Sequence, residues 1–141
     1  MADDAHDLQR FVLAQDPVHA AVLAELRAGR KRTHWMWFVF PQCAGLGTSE
    51  ASRHYAIRSL AEARAYLGHP LLGPRLVECC DVLLALEGKD ATAILGTPDD
   101  LKLRSCATLF ARVSPPDSVY GRILDRFFEG VPDERTMRWA G

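Results

Sequence analysis

The strongest constraint on the fold of this chain is the spacing of its apolar residues, which recur every three or four positions over most of its length. The clearest stretch runs from Leu72 to Glu87, where the apolar side chains fall on one helical face and Gly88 follows as a stop. The apolar run from Trp35 to Phe40 suits either a short strand or a buried helical turn. Because one short strand cannot form a sheet, we predict an all-α fold.

Several of the other predicted helices follow a residue suited to cap free N–H groups, or begin with a proline. Ser59 and Glu62 have the spacing of a capping box. Asp16 and Thr97 are each predicted to cap a helix, because a proline follows each of them and suits a first helical turn. We predict helices over 7–15, 17–28, 60–67, 72–87, 98–114 and 118–129, and a last turn after Asp133.

The inward face of these helices predicts which side chains form the core. We expect one core and therefore one compact domain over residues 1–141, since this length is ordinary for a single domain. The predicted core contains Phe11, Val22, Leu26, Leu60, Leu76, Leu83, Phe110, Ile123 and Phe127.

Composition narrows the class of protein. Hydrophobic residues make up 48% of the chain and charged residues 25%, as in soluble globular proteins, which excludes a disordered or low-complexity chain. No apolar run approaches the roughly 18 to 20 residues that cross a bilayer, so we expect no membrane association. The first ten residues are acidic and polar, without the pattern of a secretion signal, so we expect a cytoplasmic protein.

Cysteine and histidine spacing gives no support for a metal site or another cofactor. The four cysteines include no C-x-x-C pair, and the five histidines include no H-x-x-x-H pair. We therefore expect no cofactor and interpret the cysteines as reduced core residues.

Charge is unevenly distributed along the chain. The whole chain has a net charge of −1, but the stretch from Arg27 to Arg75 holds eight basic and two acidic residues. Such a stretch is typical of a patch for an anion, or of a solvated face balanced by acidic neighbours. The sequence pI near 6.5 argues against a nucleic-acid partner and favours a small phosphorylated ligand.

The segment from Arg30 to Ser52 combines cations, aromatic rings and a glycine-containing loop. Basic residues precede the run from Trp35 to Phe40, and a loop with Gly45 and Gly47 follows it. Loop amides can hold an anion, and flat rings can stack on a ligand, although such rings equally belong to a core. The candidate ligand-binding residues here are Lys31, Trp35, Trp37, Gln42, Gly45, Gly47 and Ser49.

Two helical segments supply further candidates. Tyr55 lies at helical spacing from Ser52 and Ser59, and Lys102 lies near Ser105 and Thr108. We predict that Tyr55 and Lys102 help to bind the ligand, whereas the alternative for both helices is a solvated polar face.

Two residues are candidate acid–base groups. His34 is next to Trp35, where it is either a surface residue or a proton-transfer group, and Glu50 follows the glycine-containing loop. Asp99 and Asp100 are also carboxylate candidates, but helix capping explains both of them.

The string HWMWFVFPQ over 34–42, together with the stretches 8–11, 100–110 and 123–130, resembles an uncharacterised, mainly bacterial family known as domain of unknown function 1810. This resemblance covers nearly the whole chain and implies a mainly helical single domain with no established activity.

A second, fainter resemblance is to the YbiA-like helical superfamily, which is associated with NAD and ADP-ribose. It rests on Thr48, Ser49, Glu50, His54 and Tyr55, although extra residues separate Glu50 from His54. It implies a ligand that contains ribose phosphate.

Our leading hypothesis is therefore a helical protein that binds or processes an anionic, nucleotide-derived small molecule such as ADP-ribose. If it is an enzyme, hydrolysis or glycosyl transfer is the reaction class expected. The alternative is a non-enzymatic interaction module that binds a partner protein through exposed aromatic and basic residues. A pocket that collects the Arg30–Ser52 segment with the helix of Lys102 would favour the first hypothesis, and a flat apolar patch the second.

Overall fold

The computed structural model describes residues 4–141, so the first three residues of the acidic N-terminal stretch lie outside the described residues. Helices make up the whole of the regular structure in this part of the chain, and its one β-bridge is an isolated parallel pair between Cys43 and Ile57. The all-α prediction is confirmed. The helices are α1 Gln9–Gln15, α2 His19–Arg27, α3 Met36–Val39, α4 Glu50–His54, α5 Leu60–Gly68, α6 Leu72–Ala85, α7 Ala91–Leu95, α8 Asp99–Ala111, α9 Val119–Phe128 and α10 Glu134–Ala140.

Helix α8 lies at the centre of the packing. It contacts α5, α7, α9 and α10, while α6 packs against α2, α5 and α9. Eight of the thirteen residues of α8 are buried, and its apolar side chains belong to one continuous core. Seven of the nine predicted core residues are buried, whereas Leu60 and Phe127 are half-buried and pack against the edge of the core.

Several helix starts follow the predicted capping residues. The side-chain oxygens of Ser59, Ser118 and Asp133 each accept a hydrogen bond from the backbone N–H three residues later. These bonds satisfy N–H groups that have no partner within the helix. The carboxylate of Glu62 does not complete the capping box but pairs instead with Arg10 and Arg58.

Two predicted helix starts are wrong by one or two residues. Asp16 lies at the end of α1, where its carboxylate accepts a hydrogen bond from Arg75 at 2.8 Å, and α2 begins only at His19. Thr97 does not cap α8, because Pro98 occupies the capping position and the Thr97 hydroxyl donates to Asp100. Both side chains are predicted to cap a helix, but that of Asp16 binds Arg75 and that of Thr97 binds Asp100.

The aromatic run is a helical turn rather than a strand. Its residues Met36–Val39 form α3, which packs against α1. Trp35 and Phe40 at its ends are buried, whereas Trp37 and Phe38 are half-buried. A single helical turn directs side chains to different sides, so the run contributes both to the core and to a less buried surface.

The carboxylate of Glu25 fixes the loop that precedes α3. Its Oε1 accepts hydrogen bonds from the backbone N–H groups of Arg32 at 2.6 Å and Thr33 at 2.9 Å, and from Trp35 Nε1 at 3.1 Å. Its Oε2 accepts one from the Thr33 hydroxyl at 2.6 Å. Burial raises the pKa of Glu25, but these hydrogen bonds outweigh burial and lower the pKa to about 2.

A buried guanidinium fixes the loop that follows α4. Arg10 donates to the backbone oxygens of His54 at 2.8 Å and Ala56 at 2.9 Å, and to Glu62 Oε2 at 2.6 Å. The two backbone oxygens belong to the residues on either side of Tyr55, so Arg10 fixes the backbone position from which the Tyr55 side chain projects.

The core position Leu83 gives a direct test of the fold. Leu83 is fully buried, so Leu83→Ala should reduce the free energy of unfolding by about 2 to 5 kcal/mol through lost transfer energy and a cavity. Urea unfolding followed by circular dichroism measures this loss. Leu13→Ala is the control, because Leu13 is 66% exposed and its truncation should change stability by less than about 0.5 kcal/mol. Equal losses in the two variants would contradict the described core.

The Glu25 network makes stability depend on pH. Because the folded pKa of Glu25 is about 2, below its ordinary value of 4.5, the carboxylate stabilises the fold above pH 4.5 and loses this effect as the pH falls toward 2. Glu25→Gln should reduce stability at pH 7 by about 1 to 3 kcal/mol, through weaker hydrogen bonds. Urea unfolding at pH 7, 4 and 3 should show this difference shrinking toward low pH. Glu87→Gln, at an exposed position, should show no such difference, and a constant Glu25→Gln effect at all three pH values would contradict the assignment.

Candidate functional site

One cavity collects residues from three separate stretches of the chain. It has a volume of about 220 Å³ and lies between the α3 segment, helix α4 and the first turn of α8. We call it the aromatic cavity, and its lining consists of Lys31, His34, Trp35, Met36, Trp37, Phe38, Ala51, Tyr55, Asp99 and Lys102. Six predicted site residues therefore lie together: Lys31, His34, Trp35, Trp37, Tyr55 and Lys102.

Two lysines share one carboxylate in this cavity. Asp99 Oδ2 lies 2.8 Å from Lys31 Nζ, and Asp99 Oδ1 lies 2.9 Å from Lys102 Nζ. Burial raises the pKa of Asp99, but the hydrogen bonds from Lys31 and Lys102 outweigh it, so the pKa lies below its ordinary value. The carboxylate is therefore ionised at neutral pH, and the three groups carry a net charge of +1.

The two tryptophans have different roles in the wall of the cavity. Trp35 is 1% exposed and its indole N–H donates to Glu25, so this ring is part of the core. Trp37 is half-buried, and Lys102 Nζ lies 4.0 Å from the centroid of its ring. The half-buried Tyr55 packs against Phe38, with ring centroids 5.3 Å apart. Trp37 and Tyr55 are therefore the predicted rings that combine a cavity position with partial exposure.

The two candidate acid–base residues lie in different places. His34 is exposed and lines the aromatic cavity. Glu50 lies in the first turn of α4 and lines a separate surface hollow with Ser49 and His54. Tyr55 and Ala51 border both spaces. The structure does not bring Glu50 and His34 into one cavity.

The glycine-containing loop shapes the site without lining the aromatic cavity. Gly45 has a φ of +93°, which favours glycine, and its carbonyl accepts a hydrogen bond from Arg135 at 3.1 Å. A Cβ at Gly47 would lie 2.7 Å from Ser52 Cβ and 3.1 Å from Trp37 Cη2, so only glycine allows this close approach. The Ser49 hydroxyl oxygen caps α4 by accepting from the Ser52 N–H at 3.1 Å. These residues hold Trp37 and α4 in position.

Gln42 lines a second cavity, of about 420 Å³, which has Trp37 and Lys102 in common with the aromatic cavity. We call it the basic cavity, and its lining consists of Trp37, Gln42, Leu46, Pro98, Leu101, Lys102, Arg104, Ser105, Asp133 and Arg135. The Nε2 atom of Gln42 is buried and donates a hydrogen bond to no atom in the described chain.

Several charged residues of these cavities lie outside the predicted site residues. Helix capping explains Asp99 in the sequence, although its spacing of three residues before Lys102 is also a signal for an ion pair. Arg104 lies on the helix of Lys102, for which a solvated polar face is the alternative interpretation, and Arg135 carries no local signal in the sequence. Ser105 and Thr108, by contrast, donate to carbonyls of their own helix, so their hydroxyls serve the fold.

Two other kinds of site lack support in residues 4–141. This part of the chain contains no cluster of three or more histidine, cysteine or acidic residues suited to a metal ion. The four cysteines are buried, and burial raises the pKa of Cys79 to about 12, so its thiol stays protonated at neutral pH.

None of the helices in the described range has the length and hydropathy needed to cross a membrane.

Comparison with known proteins identifies a structural relative. The chain is similar to a conserved hypothetical protein from Mycobacterium tuberculosis, known from a crystal structure, with 51% sequence identity and a TM-score of 0.95. The match covers 97% of this chain and 98% of that protein, so the two have the same fold throughout. No curated protein matches the chain.

The family assignment follows from a match that spans almost the entire sequence. The family described as "Protein of unknown function (DUF1810)" matches residues 5–139, which include both cavities and every predicted site residue. Neither this match nor the structural relative supports the fainter resemblance to the YbiA-like superfamily. The chain belongs to the DUF1810 family.

Proposed function

We propose that the aromatic cavity binds an anionic small molecule derived from a nucleotide, with ADP-ribose as the first compound to test. The observation that carries this proposal is the pair of lysines that share Asp99 beside the half-buried ring of Trp37. A cation next to a partly exposed aromatic face suits a ligand that has both a phosphate and a flat ring.

The charge of the site favours an anion. Lys31 and Lys102 each have three N–H donors, and Asp99 accepts one hydrogen bond from each of them. The remaining donors can serve a ligand oxygen, and one positive charge stays uncompensated. Because Lys31 is 7% exposed in its side chain, its charge lies in surroundings where interactions are stronger than in water.

The enclosure of the aromatic run favours a small ligand over a partner protein. Trp35 and Phe40 are buried in the core, and the exposed large apolar residues of the described chain include no aromatic residue. An interaction surface built from these rings would need them at the exterior.

A catalytic role would be the hydrolysis or glycosyl transfer of an ADP-ribose-like compound. His34 at the aromatic cavity and Glu50 beyond Tyr55 are the proposed acid–base residues. Both could act on one substrate only if it extended past the ring of Tyr55 toward α4.

Incubation with ADP-ribose and NAD, followed by chromatography of the products, tests for turnover, and Glu50→Gln should abolish it.

Ligand binding is tested by thermal unfolding with ADP-ribose, NAD or sulfate. We expect the nucleotides to raise the melting temperature more than sulfate does, because they contact the rings as well as the cations. The double variant Lys31→Met, His34→Ala should lose this gain and keep its helical spectrum. Methionine retains the apolar stem of Lys31, and Lys102 still neutralises Asp99.

The matched control is Arg32→Met, which removes one positive charge from the same basic stretch. Arg32 is exposed and does not line the aromatic cavity. It should keep the full gain in melting temperature. A loss as large as that of the double variant would indicate diffuse attraction by the basic stretch. No stabilisation of the wild-type protein beyond sulfate would refute the proposed function.

A further inference from the structure

We propose that the basic cavity is the phosphate-binding part of the same site, so that the ligand is a nucleoside phosphate with its ring in the aromatic cavity. This inference rests on the proposed function and assigns a position to each end of the ligand. Three observations support it: the sizes of the two cavities, the distribution of charge between them, and the unpaired amide of Gln42.

The aromatic cavity is too small to hold a nucleotide alone. Its volume of about 220 Å³ lies below the range of roughly 300 to 1,000 Å³ that is typical of small-molecule pockets. The basic cavity, at about 420 Å³, lies within that range and adjoins it at Trp37 and Lys102. A nucleotide whose ring lies in the aromatic cavity therefore has to extend into a neighbouring space, and the basic cavity offers enough volume for its sugar and phosphate.

The basic cavity adds positive charge to that of the aromatic cavity. Lys102 lines both cavities and, like Lys31, already pairs with Asp99. The basic cavity contributes two further cations, Arg104 and Arg135, and one carboxylate, Asp133. Asp133 Oδ2 accepts from the Thr136 N–H at 2.9 Å and from its hydroxyl at 2.6 Å, so that carboxylate is committed to capping α10.

Both arginines have free donors for a phosphate. Arg104 donates through Nε to the Val131 carbonyl at 2.8 Å, and Arg135 donates through Nη2 to the Gly45 carbonyl at 3.1 Å. A guanidinium has five N–H donors, so each arginine is anchored to the backbone while most of its donors remain available. Anchored guanidinium groups suit the recognition of phosphate oxygens.

Gln42 supplies the observation that points to a ligand. Its residue is 7% exposed, yet its Nε2 has no acceptor in the described chain. Buried polar side chains are paired in most proteins, so an unpaired amide in a cavity wall calls for a partner. Because Nε2 is closed to solvent, the amide has to turn about its last torsion, which has broad minima, to present this nitrogen to a ligand oxygen in the basic cavity.

Lys102 and Trp37 connect the two parts. They line both cavities, and Lys102 Nζ lies over the Trp37 ring at 4.0 Å from its centroid. In the proposed arrangement the ring of the ligand lies against Trp37, its sugar beside Lys102 and its phosphate toward Arg104 and Arg135.

Calorimetric titrations with AMP, adenosine and inorganic phosphate test the inference. The wild-type protein should bind AMP at least about tenfold more tightly than either adenosine or inorganic phosphate, because AMP alone reaches both cavities. Arg104→Gln with Arg135→Gln should weaken AMP binding about tenfold or more and leave adenosine within about twofold.

The matched control is Arg112→Gln with Arg138→Gln. Arg112 follows α8 and Arg138 lies in α10, so this variant removes the same charge beside the same two helices without touching either cavity. It should bind AMP as the wild type does. An equal loss of AMP binding in the control would overturn the assignment of the phosphate to the basic cavity.

Gln42→Met separates a binding role from a structural one. Methionine has a similar length and no amide, so the free protein should keep or raise its melting temperature. AMP binding should weaken about tenfold if the amide contacts the ligand. A lower melting temperature with unchanged AMP binding would make Gln42 a purely structural residue and overturn its part in the site.

The remaining outcomes separate this inference from the proposed function. If AMP binds, and Lys31→Met with His34→Ala abolishes binding while Arg104→Gln with Arg135→Gln does not, the proposed function stands and the inference fails. If inorganic phosphate binds as tightly as AMP, the basic cavity is a site for free phosphate, and the inference fails as well. If neither AMP nor ADP-ribose binds to the wild type, both proposals fail.

Discussion

The buried guanidinium of Arg10 joins parts of the chain that no regular element connects. It donates to the backbone oxygens of His6 and Asp7 before α1, to those of His54 and Ala56 around Tyr55, and to the carboxylate of Glu62 in α5. The side chains of Arg10 and Glu62 are 5% and 1% exposed. Removing Glu62 would leave the buried guanidinium without its carboxylate, which typically costs about 3 to 5 kcal/mol, whereas removing Arg10 would leave Glu62 with only the exposed Arg58 as a charged partner. The position of Tyr55, and with it one wall of the aromatic cavity, depends on this arrangement.

The residues within a helix and at its ends are enough to predict much of the fold. The prediction fails where contacts with residues far along the chain determine the local structure. Helices α6 and α9 are long and periodic, and their limits follow from the sequence to within a few residues. Helices α3, α4 and α7 have only four or five residues, and helices that short form because of tertiary packing rather than intrinsic preference. Asp16 was misplaced for a related reason, since its partner Arg75 is 59 residues away.

The residues of the candidate site also fall into two groups, those that can be predicted from nearby sequence and those that depend on how the helices pack. Lys31, His34, Trp37 and Tyr55 are close in sequence, and their residue types indicated a cavity before its shape was known. Helical spacing could not show that α8 presents Lys102 to the same cavity, or that α10 brings Arg135 to the glycine-containing loop, because both depend on how helices pack. Trp35 is a case where the residue type is misleading. An aromatic ring beside basic residues predicts a stacking surface, but the ring of Trp35 is buried in the core and its indole N–H donates to Glu25.

Under the proposed function, Asp99 also determines which anions the two lysines accept. Its carboxylate is tethered within 2.9 Å of both amines, so it competes with any incoming anion as an intramolecular ligand at high effective concentration. A free acetate or chloride ion offers no more charge than the carboxylate already in place, and it also loses translational freedom on binding. Only an anion with more charge, or with further contacts to the rings, gains by entering. In the proposed site, this tethered carboxylate therefore sets a threshold against the monovalent anions that are abundant in water.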